Sequence, residues 1–206
     1  MPPLLTTTLR RLRRLATLDD AVYDELRFDS AATLPAVAVT AIGLFALGLG
    51  GWLWWLLSDF GNTGTVFIKT VILGTIFGFV AWLAWLLVVY TVLRRISGAT
   101  VQVEQLLRTA GFASGVLVIG LLMVITPIAF GVGILALVAW AGTTQIAIER
   151  TIGRGGSDVL VANLAGFGVW LVIMSLLASG TNQVAPGPFL AESVWDAITS
   201  VSVAFG

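Results

Sequence analysis

Ser114 and Ser175 come nearest to a catalytic nucleophile in this chain, each a hydroxyl set within a long apolar stretch. A serine attacks a carbonyl only when a neighbouring base takes its proton. Neither serine has a histidine or lysine to activate it, since the chain contains no histidine and its one lysine is Lys69. Cysteine is absent as well, which removes disulfides, thiol nucleophiles and His or Cys metal sites together. A carboxylate pair at membrane depth would be the remaining hydrolytic device, and no Asp or Glu falls near the middle of an apolar run. The expectation is therefore a non-enzymatic protein with no cofactor and no metal.

Two further patterns invite a chemical reading. GRGGSD at 153–158 is glycine-rich and has two arginines nearby, so it suggests a phosphate cradle. It lacks the GK[ST] ending of a P-loop and precedes an apolar run, which favours a turn with Ser157 or Asp158 as helix N-cap. The polar residues inside the apolar runs are few: Lys69, Thr75, Ser114, Gln145, Asn163 and Ser175. Lys69 is placed to snorkel toward an interface. Gln145 and Asn163 lie near the ends of successive runs, within reach of hydrogen bonds between helices. Gly74 with Gly78 and Gly111 with Gly115 form GxxxG pairs, but 23 glycines in 206 residues yield about two or three such pairs by chance.

These residues are positioned by a membrane fold. With 58% hydrophobic and 11% charged residues, the chain carries more apolar surface than a soluble domain of this size buries. A span-length window gives apolar runs at 31–57, 66–93 and 109–148, then 159–178. The third run would make a helix of roughly 60 Å, twice the hydrocarbon thickness of about 30 Å. It must fold back, and Pro127 in ITPIAFGVG marks the break, giving spans at 109–126 and 128–148. Five spans with the N-terminus inside place Arg10, Arg11, Arg13, Arg14, Arg27, Arg94, Arg95, Arg108, Arg150 and Arg154 on the cytoplasmic side, with Lys69 alone near an outer end. Trp52, Trp54 and Trp55 mark the outer end of span 1, whereas Trp82, Trp85, Trp140 and Trp170 lie deeper and are expected to pack between helices.

The two ends of the chain are amphipathic. Leu5, Leu9, Leu12 and Ala16 recur at helical spacing beside Arg10, Arg11, Arg13 and Arg14, which predicts a basic helix in the interface with those arginines on the lipid surface. The N-terminus resembles a signal n-region, but its apolar run is too long and ends in WLWWLLSDF, so it is expected to remain. Five carboxylates then crowd into positions 19–29. Asp19 reads as an N-cap, Leu18 as a staple against Tyr23, and Asp29 or Ser30 as a second cap before span 1. At the other end, 189–203 in the tail 179–206 reads as an acidic in-plane helix.

LDDAVYDELRFDSAAT leading into span 1, SGATVQVEQLLRTAGFASG leading into span 3, the ITP hairpin and the Trp140 span followed by a small-residue span resemble bacterial members of the Yip1 domain family over residues 18–178. The resemblance implies five spans with a cytoplasmic N-terminus. Eukaryotic members act in membrane traffic with small prenylated GTPases; their DLYGP-like motif is absent here, so that partner is not implied. The sequence thus predicts an all-α polytopic membrane protein, with 1–30 cytoplasmic, 31–178 in the membrane and 179–206 outside. Its expected role is that of a membrane organiser or partner-binding protein of a prokaryotic cytoplasmic membrane. The expected partners are the bilayer and another membrane protein or a second copy, with no nucleic acid. A small transporter or channel component is the alternative.

Overall fold

The computed structural model describes residues 3–96, 98 and 101–178, and among these the chain is helical with no strand. Helix α1 (Pro3–Ala16) and helix α2 (Val22–Phe28) precede five helices long and apolar enough to cross a membrane. These are span 1 (Ser30–Leu57), span 2 (Thr63–Ile96), span 3 (Val103–Val124), span 4 (Thr126–Ile152) and span 5 (Ser157–Leu177). The chain is an integral membrane protein. The C-terminal helix expected at 189–203 lies outside the described residues.

The helices overrun the apolar stretches that announce them. Span 2 ends at Ile96 and span 4 at Ile152, so Arg94, Arg95 and Arg150 belong to last turns. A cation there faces the negative end of the helix dipole, and the backbone continues into the charged segment instead of stopping at its edge. Span 4 then closes on Gly153, whose φ of 78° is the left-handed geometry glycine adopts without a steric penalty. Pro127 sits in the short 3₁₀ turn Thr126–Ile128, directly after an extended Ile125, so the hairpin turns where the missing proline donor breaks the helix.

Span 3 changes character halfway. Val103–Ala113 is α-helical, and Ser114–Val124 continues as a 3₁₀ helix of 11 residues, whereas such runs rarely exceed three or four. Its buried residues are Ser114, Leu117, Gly120 and Met123, the every-third pattern that three residues per turn dictates. Span 1 meets this face with small residues seven apart, Ala36, Gly43 and Gly50, which two helical turns bring onto one side. A Cβ on Gly43 would stand 2.6 Å from the Ser114 carbonyl oxygen, and one on Gly50 would run into the carbonyl of Gly120. Gly111, from one of the GxxxG pairs, presses likewise on Ala36.

Spans 2, 4 and 5 pack around aromatic rings. Trp82, Trp85, Trp140 and Trp170 are fully buried, as their depth implied. Trp140 meets Trp85 at 4.9 Å and Trp170 at 5.2 Å between centroids, both edge-to-face, and Phe167 stacks parallel to Trp170. Gly166 admits the Trp85 indole where any Cβ would collide with it.

Three sequence expectations need correction. Lys69 does not snorkel outward: it lies in the π-helical stretch Phe67–Leu73, which turns Lys69, Thr70 and Val71 together into the bundle, and it is only 6% exposed. Asp19 does not cap α2, which starts at Val22 after Ala21; its carboxylate is engaged by Arg14 instead. Leu18 is no staple for Tyr23, because a φ of 62° throws its side chain out to 88% exposure. Asp29 does cap, accepting from the Ala31 amide at the start of span 1.

Candidate functional site

The five crowded carboxylates are the foundation of an elbow at the arginine-rich end of the bundle, and each of them has a basic partner. Arg14 reaches Asp19 at 2.7 Å and Glu25 at 2.6 Å, tying α1 to α2. Arg11 holds Asp29 at 2.8 Å, tying α1 to the start of span 1. Arg150 takes Asp20 at 2.6 Å and Asp24 at 3.6 Å, which docks α2 on the end of span 4. Arg27 adds a hydrogen bond to the Arg150 carbonyl at 2.9 Å, capping the C-terminal carbonyls of span 4. The hydrogen bonds that the Arg14 guanidinium donates to Glu25 and then Asp19 hold it protonated above its usual range. Burial, with a contribution from the Asp20 carboxylate, pushes the Tyr23 phenol up likewise.

Each pair is partly exposed, so solvent screens it and singly it contributes little. The stronger tie is apolar: Val22, Tyr23 and Leu26 of α2 are buried with Ala32, Ala36, Phe112, Ala113 and Ala147. That apolar contact fixes the position of α2, and the ion pairs fix its orientation. Of the arginines expected at the lipid surface, Arg11 and Arg14 are therefore committed to the elbow. Arg10 and Arg13 are exposed and form no ion pair among the described residues.

Beneath α1 lies an apolar groove of about 680 Å³. Leu12 and Leu15 roof it, Gly115, Val118 and Leu122 of span 3 form its floor, and Ile42 of span 1 walls one side. Thr143 of span 4 closes the other side, its hydroxyl donating to Ala139 in its own helix and reaching the Ala113 carbonyl at 3.2 Å. The groove exists because span 3 is recessed: its slender 3₁₀ half is drawn in against the glycines of span 1.

Inside the membrane, the two amides read from the sequence have different fates. Asn163 of span 5 accepts from the Trp85 indole of span 2 at 3.2 Å and donates to the Ala141 carbonyl of span 4 at 3.0 Å, joining three spans. Gln145 does not reach another helix. Its amide donates to Glu149 at 2.7 Å one turn along its own span, because a carboxylate at i+4 outcompetes a neighbouring helix. Other contacts between spans carry no signal in the sequence, that of Thr143 with Ala113 among them. Trp140 donates to the Ser114 hydroxyl at 2.9 Å, Trp170 to the Gly78 carbonyl at 3.1 Å, and Thr109 and Thr151 share a hydrogen bond of 2.7 Å. Ser114 thus accepts from an indole, which is a poor setting for a nucleophile.

The GRGGSD turn contains its own ion pair, Arg154 to Asp158 at 2.6 Å. Among the described residues no three His, Cys, Asp or Glu side chains are grouped to hold a metal. Compared with family models, with curated proteins and with solved structures, the chain finds no match.

Proposed function

We propose that this protein is a non-enzymatic membrane organiser or partner-binding protein of the Yip1 type. In this reading it is threaded through a prokaryotic cytoplasmic membrane with the N-terminus inside and the C-terminus outside. The observation that carries it is the elbow, where α2 is seated by its buried Val22, Tyr23 and Leu26, oriented by the ion pairs of Arg14 and Arg150, and flanked by Leu18 and Phe28 standing 88% and 70% exposed. Large apolar side chains presented on a charged, braced surface are the usual anatomy of a contact waiting for its partner. The ten arginines favour the inside orientation, since they all fall on one face of a five-span bundle. Photo-crosslinkers at Leu18 and Phe28 in intact cells should each yield the same discrete protein adduct. Adducts with lipid alone, or none, would remove the reading.

One observation favours the transporter alternative. Lys69 is a cationic side chain buried in a span, in a π-helical stretch, and such stretches are frequent at functional sites. If it serves transport, reconstituted liposomes should show a substrate flux that Lys69→Met abolishes.

A further inference from the structure

Arg108 lies in the α-helical half of span 3, Val103–Ala113, and is only 7% exposed, yet among the described residues no carboxylate stands within ion-pairing distance of it. Its neighbours on the same helix face explain the burial. Gly111 presses on Ala36 of span 1, and Phe112 is buried with Val22 and Leu26 of α2. Arg108, one turn nearer the start of the helix, is enclosed by the same packing. Its Nε donates to the Glu104 carbonyl at 3.0 Å, which lays the side chain back along its own helix toward the first turn. Nη1 and Nη2 have no hydrogen-bond acceptor among the described residues, and neither is sealed from the surroundings. A guanidinium is costly to enclose unless an anion pairs with it, and here its outer edge is left open to one from outside the chain.

We propose that Arg108 and the first turn of span 3 bind a phosphate group, carried by a lipid headgroup or by a soluble phosphate. This goes beyond the partner-binding reading and does not rest on it. Two free Nη groups in one plane match two oxygens of a phosphate, a bidentate geometry that a lysine ammonium does not offer. The first turn assists, because Gln102 stands at the N-cap position without a side-chain cap bond and leaves the positive end of the helix dipole uncovered. Glu104 shares this turn and opposes an anion, but it is exposed, so solvent screens it. The other arginines of this end differ. Arg11, Arg14, Arg150 and Arg154 are paired with carboxylates, and Arg27 caps span 4. Arg10 and Arg13 are unpaired but open to solvent, whereas Arg108 is both enclosed and unpaired among the described residues.

The test uses the full chain purified in a neutral detergent at low salt. Inorganic phosphate is titrated by calorimetry, and phosphatidylglycerol and diacylglycerol, which lacks the phosphate, are followed separately by native mass spectrometry. The wild type should bind one equivalent of a phosphate-bearing probe and no diacylglycerol. Binding of inorganic phosphate assigns the site to a soluble phosphate, and binding of phosphatidylglycerol alone assigns it to a headgroup. Arg108→Lys should weaken that binding about tenfold, since the charge stays and a charge-assisted hydrogen bond is lost. Arg108→Met should abolish it, and Arg10→Gln with Arg13→Gln should leave it unchanged. Hydrogen exchange on the wild type depends on no variant: amides over 103–108 should slow when the probe is bound. Binding of neither phosphate probe, equal binding of diacylglycerol, undiminished binding in Arg108→Met, or exchange over 103–108 that the probe does not change would overturn the proposal.

Discussion

Replacing Asn163 by leucine removes a three-way junction while keeping the side-chain volume. In the native bundle Asn163 and Trp85 are both buried, with 1% and no exposure, and the indole nitrogen stands 3.2 Å from the amide oxygen. After the substitution no water reaches the indole N–H, so the donor is stranded at a cost of about 1–3 kcal/mol. The Ala141 carbonyl loses only a second partner, since it can still serve its own helix, and adds little. Trp85→Phe removes the donor instead, and with it the reason for Asn163 to be polar. The double variant should therefore be more stable than the sum of the two single losses by about 1 kcal/mol, where hydrogen bonds between membrane helices average about 0.6 kcal/mol and reach about 1.7 kcal/mol. Reversible unfolding in bicelles, by steric trapping or mixed-micelle titration, measures all four corners of the cycle. Additivity within about 0.3–0.5 kcal/mol would refute the junction as an energetic contact.

The packing of span 1 on span 3 predicts that Gly50→Val costs about 1–3 kcal/mol or more, because its side chain meets the Gly120 backbone and not a movable side chain; a thermal melt in detergent checks this. Cysteines introduced at Asn62 and Gly155, both exposed, should differ in intact cells, the first reacting with an impermeant maleimide and the second only after lysis. Labelling of both from outside would contradict the arginine-based orientation. Arg150→Gln should raise hydrogen exchange over Val22–Phe28 without a clear drop in the global melting temperature, since the lost pairs are exposed and screened by solvent.

What the sequence displays is local. A span is a sum over about 20 neighbouring residues, so the five spans survive ignorance of tertiary contacts. Pro127 announces its own turn for the same reason. The partners of Asp20 and Asp24 do not, since Arg150 is more than a hundred positions away and one arginine looks like another in sequence. The 3₁₀ half of span 3 leaves no trace either: SGVLVIGLLMV is apolar almost throughout, so a period of three in burial has no polar face to reveal it. Asn163 was legible as a bridge because an amide among apolar residues has few alternatives. Gln145 was misread because Glu149 offered one nearer. The span 1 glycines that meet span 3 are spaced by seven, 43 and 50, and the GxxxG pattern does not include them.

The long 3₁₀ half of span 3 sets where the span ends. With 11 residues at 2.0 Å each, span 3 is about 38 Å long, against about 33 Å if it were α-helical throughout. Hydrogen-bond geometry alone favours the shorter form, and the stretched form is the one that packs against Gly43 and Gly50 of span 1. An α-helical span 3 would end about one turn short of this position, so the register of its last turn against its neighbours is tied to the 3₁₀ geometry.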